Sequence, residues 1–244
     1  MPTEYDNIDV IGTTHESSKN STEEKMNSYY HKQEVTTVTD ILKIMKLSEF
    51  QEIIDLGCSI GTWYKDFKKL GFKRIIGIDI SRERANTAKK RGYDEVHVCN
   101  AYDLPFENES KAIVISNDVF IHVLQDLDKT KIFNEIKRIL KKNGIFIFNI
   151  ANASGGGYNT DTTVKYCRWV TPKNISNLVN QTNLEIEQII PSYYGIPRIG
   201  AHPSLASIFT KLIFPFIDSF LKKVNDLSHP KVIYFGVRKR KNSK

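Results

Sequence analysis

The chain has 244 residues and a mass of 28.0 kDa, the size of one ordinary domain with a modest addition. Its 40% hydrophobic and 26% charged residues exclude a wholly disordered chain, its three dispersed cysteines exclude a disulfide scaffold or a cysteine-only zinc site, and no uncharged apolar run is long enough to span a bilayer. The formal charge of +7 is concentrated at Arg238, Lys239, Arg240, Lys241 and Lys244, so the body is only slightly positive and nucleic acid is not the expected partner.

Residues 1–24 are polar, with no apolar run of a secretory signal, and the chain is read as cytoplasmic. A helix is predicted to start near Thr22, with Ser21 as cap, carrying Met26, Tyr29 and Tyr30. A second follows over Val38–Met45, where Val38, Ile41, Leu42 and Met45 recur at helical spacing. The pattern then changes. Glu52–Leu56 reads as a short buried strand, followed by Gly57, Gly61 and a helix over 62–70. Arg74–Asp79 is a second strand. Ser81 caps a helix reaching Lys90, which Gly92 closes.

Glu95–Asn100 and Ala112–Ser116 are the third and fourth strands. Thr130–Lys142 is an amphipathic helix stopped by Gly144, and Ile145–Ile150 is a fifth strand, apolar almost throughout, as a strand covered on both faces should be. A helix over 172–181 with Thr171 as cap, a sixth strand over Leu184–Ile190 and a seventh over Val232–Val237 complete the count. Alternating strands and helices imply βα units, a parallel sheet and strand C-termini along one edge.

The chemistry concentrates at that edge. Gly57 lets the chain turn tightly and Gly61 lets a ligand approach the backbone at the helix start. Asp79 ends the second strand, where a carboxylate can accept hydrogen bonds from two ribose hydroxyls. Asn100 can accept from an adenine amine, with the Ala101 N–H beside it. A dinucleotide would need a G-x-G-x-x-G cradle, which Gly57, Ser59 and Ile60 do not make, and Asp55 would repel a pyrophosphate. An acid there suits a cationic or amine-bearing ligand.

These segments resemble the class I S-adenosylmethionine-dependent methyltransferases, in their small-molecule branch. Asp55–Gly61 is similar to the family's cofactor loop, with Ser59 in place of its middle glycine. Gly77–Ser81 matches the ribose-binding segment, with Asp79 as its acid and Ile80 beside it. Cys99–Phe106 matches the adenine segment, with Asn100 where the family usually has aspartate. Ser116–Val123, which includes Asn117, matches the segment flanking the reacting methyl. The resemblance implies a doubly wound, seven-stranded, mostly parallel sheet of Rossmann-like methyltransferase fold, with the last strand antiparallel and inserted beside the sixth. Residues 1–47 would form an N-terminal segment with lid helices and 48–244 the methyltransferase domain, with a helical insertion at 191–230 between strands six and seven. It also implies S-adenosyl-L-methionine as cofactor and direct in-line transfer to an oxygen or nitrogen of a small-molecule acceptor, apolar or sugar-containing. A protein or nucleic-acid acceptor, or a noncatalytic cofactor-binding module, is the alternative.

No metal is expected, because the histidines show no ligand spacing with acids or cysteines. His122, just after the fourth strand, is the candidate general base, with simple packing as its alternative. Candidate acceptor contacts are Tyr30 and His31 from a lid, Tyr158 after the Gly155–Gly157 run in a mobile loop, and Arg168. Between Leu205 and Val224 apolar residues recur at three and four, with Pro215 expected to kink the helix and lysines on its flanks. A packed lid is the main reading there, and peripheral membrane contact the minor one.

Overall fold

A computed structural model describes residues 21–46, 52–158, 160–164, 166–194, 213–224, 227 and 229–239. The polar N-terminal stretch, the first part of the 191–230 insertion after Tyr194 and the basic residues after Lys239 lie outside them.

The elements in chain order are α1 (Ser21–Ile44), β1 (Glu52–Leu56), α2 (Tyr64–Lys69), β2 (Arg74–Asp79), α3 (Arg82–Arg91), β3 (Glu95–Val98), β4 (Lys111–Ser116) and α4 (Asp126–Ile139). There follow β5 (Leu140–Ala151), a short hairpin of β6 (Thr162–Val164) and β7 (Cys167–Trp169), α5 (Pro172–Gln181), β8 (Leu184–Tyr194), α6 (Phe214–Val224) and β9 (Pro230–Lys239). The main sheet has seven strands in the order β3-β2-β1-β4-β5-β9-β8. The pairs from β3 to β5 are parallel, and β9 runs antiparallel between β5 and β8.

Period-two alternation sends successive strand residues to opposite faces. Ile53, Ile75, Ile113, Ile145 and Ile147 pack against Val38, Ile41, Leu42 and Met45 of α1 and Phe67 of α2. Their neighbours Ile54, Ile76, Val114, Phe146 and Phe148 pack against Ile132, Phe133, Ile136 and Ile139 of α4 and Ile175 and Val179 of α5. Covering both faces explains the run of β5 that is buried from Gly144 to Ala151 and apolar except for Asn149.

Several expected boundaries differ. Among the described residues, the N-terminal segment holds one continuous helix where two were expected. No glycine or proline interrupts 21–44, and the β-branched run is accommodated because the hydroxyls of Thr36, Thr37 and Thr39 donate back to the carbonyls of Lys32, Gln33 and Val35 at 2.7–2.9 Å. The helix expected over 130–142 instead spans Asp126–Ile139, because Leu140 already turns extended, pairs with Lys111 and is fully buried. Gly144 therefore lies inside the strand. The third strand stops at Val98, whereas β8 and β9 run further than expected, so Arg238 and Lys239 belong to a strand and pair with Glu187 and Glu109. Pro215 is the second residue of α6, which directly follows the π-helical Ile213, and the residues before Ile213, where the kink is expected, lie outside the described residues. Gly155 is not there for mobility: a Cβ on it would lie 2.0 Å from the Pro230 carbonyl oxygen, so it lets the loop after β5 press on the start of β9.

Docking of α1 is tested at Gly236 in β9, where an added Cβ would meet Met45 Sδ at 2.7 Å and Ile41 Cγ2 at 2.8 Å. Gly236→Ala is expected to destabilise the fold by about 1–3 kcal/mol in urea unfolding through overpacking.

Candidate active site

Adding strands first to one side of β1 and then, from β4, to the other opens a crevice where the loops leaving β1 and β4 diverge. At the β1 end, the Gly57 and Cys58 N–H groups both donate to the Ile78 carbonyl, at 2.7 and 2.9 Å, which fastens the loop to β2. Gly57 has φ +77°, and a Cβ there would sit 2.1 Å from Val119 Cγ2 in the loop after β4. Only hydrogen fits. Ser59 also holds a left-handed φ of +48°, which rationalises why a glycine is common at this place in the family it resembles.

That strained turn aims the Ser59 N–H at Asp79 Oδ2, 2.8 Å away, while the Ser81 N–H donates to Oδ1 at 2.9 Å. The carboxylate is thus fixed at the end of β2 with lone pairs to spare. Burial raises its pKa, opposed by those N–H donors and Arg84. Asp55 is 2% exposed and accepts a 2.5 Å hydrogen bond from the Tyr93 hydroxyl. Burial pushes its carboxyl up to about 7, a rise that the Tyr93 bond limits and the neighbouring Asp79 adds to. Tyr93 was not foreseen: it comes from the α3–β3 turn, and no local pattern marks a tyrosine that reaches back to β1.

A cavity of about 730 Å³ runs along this edge. Asp55, Gly57, Ser59, Asp79, Ile80, Asn100, Ala101 and Asn117 line it, as does His122. The Asn100 Oδ1 also caps its own turn, accepting from the Tyr102 N–H at 3.4 Å, and the neighbouring Asp103 is not part of the lining. Gly61 stands behind the wall, packed on Tyr93 and Ala88 so that α2 can start close to α3.

The four residues expected to meet the acceptor are not in the lining either. Tyr30 stacks on Tyr193 at 4.4 Å, His31 bonds Asp66 at 2.9 Å and meets the Trp63 ring at 5.0 Å, and Tyr158 packs edge-on against Trp169 at 6.2 Å. The rings they support, Tyr193, Trp63 and Trp169, are the ones that line the cavity. Arg168 is a clamp on the loop after β4. Its guanidinium donates to the Leu124 carbonyl and pairs with Asp126 and Asp161, and its N–H donates to Ile121. Buried Lys129 donates to the neighbouring Val123 carbonyl. Together they hold the turn that carries His122, whose pKa burial lowers, keeping the imidazole neutral near pH 7.

Among the described residues, four carboxylates line the cavity (Asp55, Asp79, Asp118, Asp128) against the cations Arg84 and Lys231, so it is negative within a chain of net charge +7. Two buried lining atoms, Ser59 Oγ and Asn117 Nδ2, have no hydrogen-bond partner among the described residues. Buried polar groups of this kind are normally satisfied, and a polar ligand would do so. No group of three His, Cys, Asp or Glu is placed to hold a metal among the described residues, and no helix there is long and apolar enough to cross a membrane.

The fold is the doubly wound, Rossmann-like fold of the methyltransferases. Residues 54–148 match the family model described as methyltransferase domain. The chain is 37% identical over 112 residues to an uncharacterised protein of Methanocaldococcus jannaschii, covering 46% of this chain and 41% of that one. The match thus spans less than half of the curated relative's length. Among solved structures, it is similar to a SAM-dependent methyltransferase of Methanosarcina mazei (TM-score 0.58, 15% identity, 79% of this chain and 94% of that one). It is also similar to geranyl diphosphate C-methyltransferase of Streptomyces coelicolor, crystallised with Mg2+, geranyl diphosphate and S-adenosyl-L-homocysteine (TM-score 0.56, 16% identity, 94% and 89%).

The donor set fits that cofactor: a fixed carboxylate for ribose hydroxyls, an amide at the adenine position and a negative wall for a cationic tail. Two measurements check the account of the site. Arg168→Met is expected to cost about 2–3 kcal/mol in urea unfolding, because it frees a carbonyl and two carboxylates at once. The second concerns Asp55. Its folded pKa lies above the unfolded value, so its ionisation costs the ligand-free fold stability that returns as pH falls from about 7 toward 3.8. Asp55→Asn is therefore expected to be more stable than wild type at pH 7.5, with the difference shrinking by pH 5. A pH-independent difference would contradict the assignment.

Proposed function

We propose that the protein transfers the methyl group of S-adenosyl-L-methionine to an oxygen or nitrogen of a small-molecule acceptor. The observation that carries this is the Asp79 carboxylate, held by the Ser59 and Ser81 N–H groups at the mouth of a cavity that continues past the switch point. When bound, the cofactor supplies a methyl group already activated by the sulfonium.

The chain's own residues then bind, orient and handle a proton. Asp79 accepts from the ribose hydroxyls and Asn100 with Ala101 brackets the adenine. Ser59 Oγ and Asn117 Nδ2 offer polar contacts to the amino-acid tail, and Asp55 complements its ammonium. His122, neutral and clamped through Leu124 and Val123, is the base that takes the acceptor's proton. The aromatic walls Trp63, Trp169 and Tyr193 exclude water and align the acceptor. A cavity within the usual range for small-molecule sites supports a small acceptor over a macromolecular one.

Isothermal titration with S-adenosyl-L-homocysteine tests the reading. Wild type is expected to bind, and Asp79→Ala to bind at least about tenfold more weakly with an unchanged circular dichroism spectrum, since charge-assisted hydrogen bonds are lost. Equal affinity in the two proteins would refute it. With an acceptor in hand, His122→Ala is expected to lower kcat by about a hundredfold, recovering in part as pH rises.

A further inference from the structure

The half of the cavity beyond the switch point holds a charged group for which the cofactor half provides no use. Asp118 follows β4 and is solvent-exposed in the lining. In the sheet order, β2 and β3 carry the nucleoside contacts on one side of β1, whereas β4, β5, β9 and β8 lie on the other. With strands about 4.8 Å apart, the wall formed by Ala151, Val232 and Tyr193 stands about 14 Å or more from Asp79.

Asp118 is built into this wall. Its φ is +58°, a left-handed conformation that few residues other than glycine, Asn and Asp accept. Asn149, 1% exposed in β5, clasps it at two points: the Asp118 N–H donates to Asn149 Oδ1 at 2.7 Å, and Asn149 Nδ2 donates to Asp118 Oδ1 at 2.8 Å. The Tyr234 hydroxyl, 3.5 Å from that Nδ2, donates to Asn117 Oδ1 at 2.9 Å and ties the clasp to β9. The carboxylate is thereby fixed in place, with acceptor capacity left over. The rings of Trp169 and Tyr193 line the same half. A fixed carboxylate in one cavity with aromatic rings is the recognition chemistry of an organic cation.

We propose that the acceptor is an amine, cationic in solution, whose nitrogen is bound by the Asp118 carboxylate in the half of the cavity walled by Trp169 and Tyr193. This rests on the methyltransferase reading and narrows its acceptor to nitrogen. The ammonium proton passes to His122 and on to water. The freed lone pair forms the N–CH3 bond as the methyl–sulfur bond breaks, and that bonding pair stays on sulfur as a neutral thioether. Asp118 selects and positions, and His122 handles the proton.

The test uses three probes of one shape and different charge, 2-phenylethylamine, 2-phenylethanol and phenylacetate. Each is titrated calorimetrically into the full-length protein saturated with S-adenosyl-L-homocysteine. The amine is expected to bind at least about tenfold more tightly than the alcohol, with the carboxylate weakest, as for a charge-assisted contact. Asp118→Asn keeps the left-handed turn and an oxygen for Asn149, so it should fold. It is expected to bring amine and alcohol within about twofold of each other while S-adenosyl-L-homocysteine affinity stays at the wild-type value. Wild type binding the alcohol or carboxylate as well as the amine, binding none of the three, or an amine preference that survives Asp118→Asn would each overturn the proposal. In all three cases S-adenosyl-L-homocysteine still binds, so the methyltransferase reading stands; its failure to bind at all would remove both.

Discussion

Everything at this sheet edge depends on the reversal of strand order between β1 and β4. Because the chain lays β2 and β3 on one side of β1 and then crosses to lay β4 and β5 on the other, two loops leave adjacent strands in opposite directions. The space between them cannot be filled by either crossover helix. The two loops meet where Gly57 lies against Val119 with no room for a Cβ. That contact sets the floor of the cavity. On one side of it stand the hydrogen-bonding groups of Ser59, Asp79 and Asn100, and on the other aromatic walls and a clasped carboxylate.

The site is assembled against the demands of stability. Burial raises the pKa of both Asp55 and Asp79, and Ser59 and Asp118 adopt left-handed backbone angles. Each feature is unfavourable in the ligand-free fold. The offset comes from the two apolar layers on the sheet, where phenylalanines 120, 133, 146, 148 and 235 pack with ring centroids about 5 Å apart on the α4 side. Arg168 and Lys129 perform a related service locally, since a loop that carries a neutral histidine is held by one part-buried and one buried cation bonded to its carbonyls.

Much of this was legible in the chain. The strands Glu52–Leu56 and Arg74–Asp79, the Ser81 and Thr171 caps and the left-handed Gly92 were marked by apolar runs and short polar or glycine residues, which act locally. Asp55, Asp79 and Asn100 were legible because each directly ends or borders a strand at the active edge. What escaped was the set by long-range packing. Thr36, Thr37 and Thr39 look like a helix break until their hydroxyls are seen bonded to the preceding turn. Tyr30, His31 and Tyr158 stand one layer behind the wall, because sequence marks an aromatic but not which of two neighbouring rings faces inward. Tyr93, Asn149 and Tyr234 act through partners 31 to 117 residues away, a coupling no window of the sequence contains.

The central claim is that a nucleoside lies across β1 and β2 with its reacting end directed over the β4 loop. A crystal structure of the protein with S-adenosyl-L-homocysteine tests it most directly. The account predicts both ribose hydroxyls within hydrogen-bonding distance of Asp79, the adenine beside Asn100 and the sulfur pointing into the space bounded by Asp118, His122 and Trp169. A ligand elsewhere on the surface, or one whose ribose has no contact with Asp79, would contradict it.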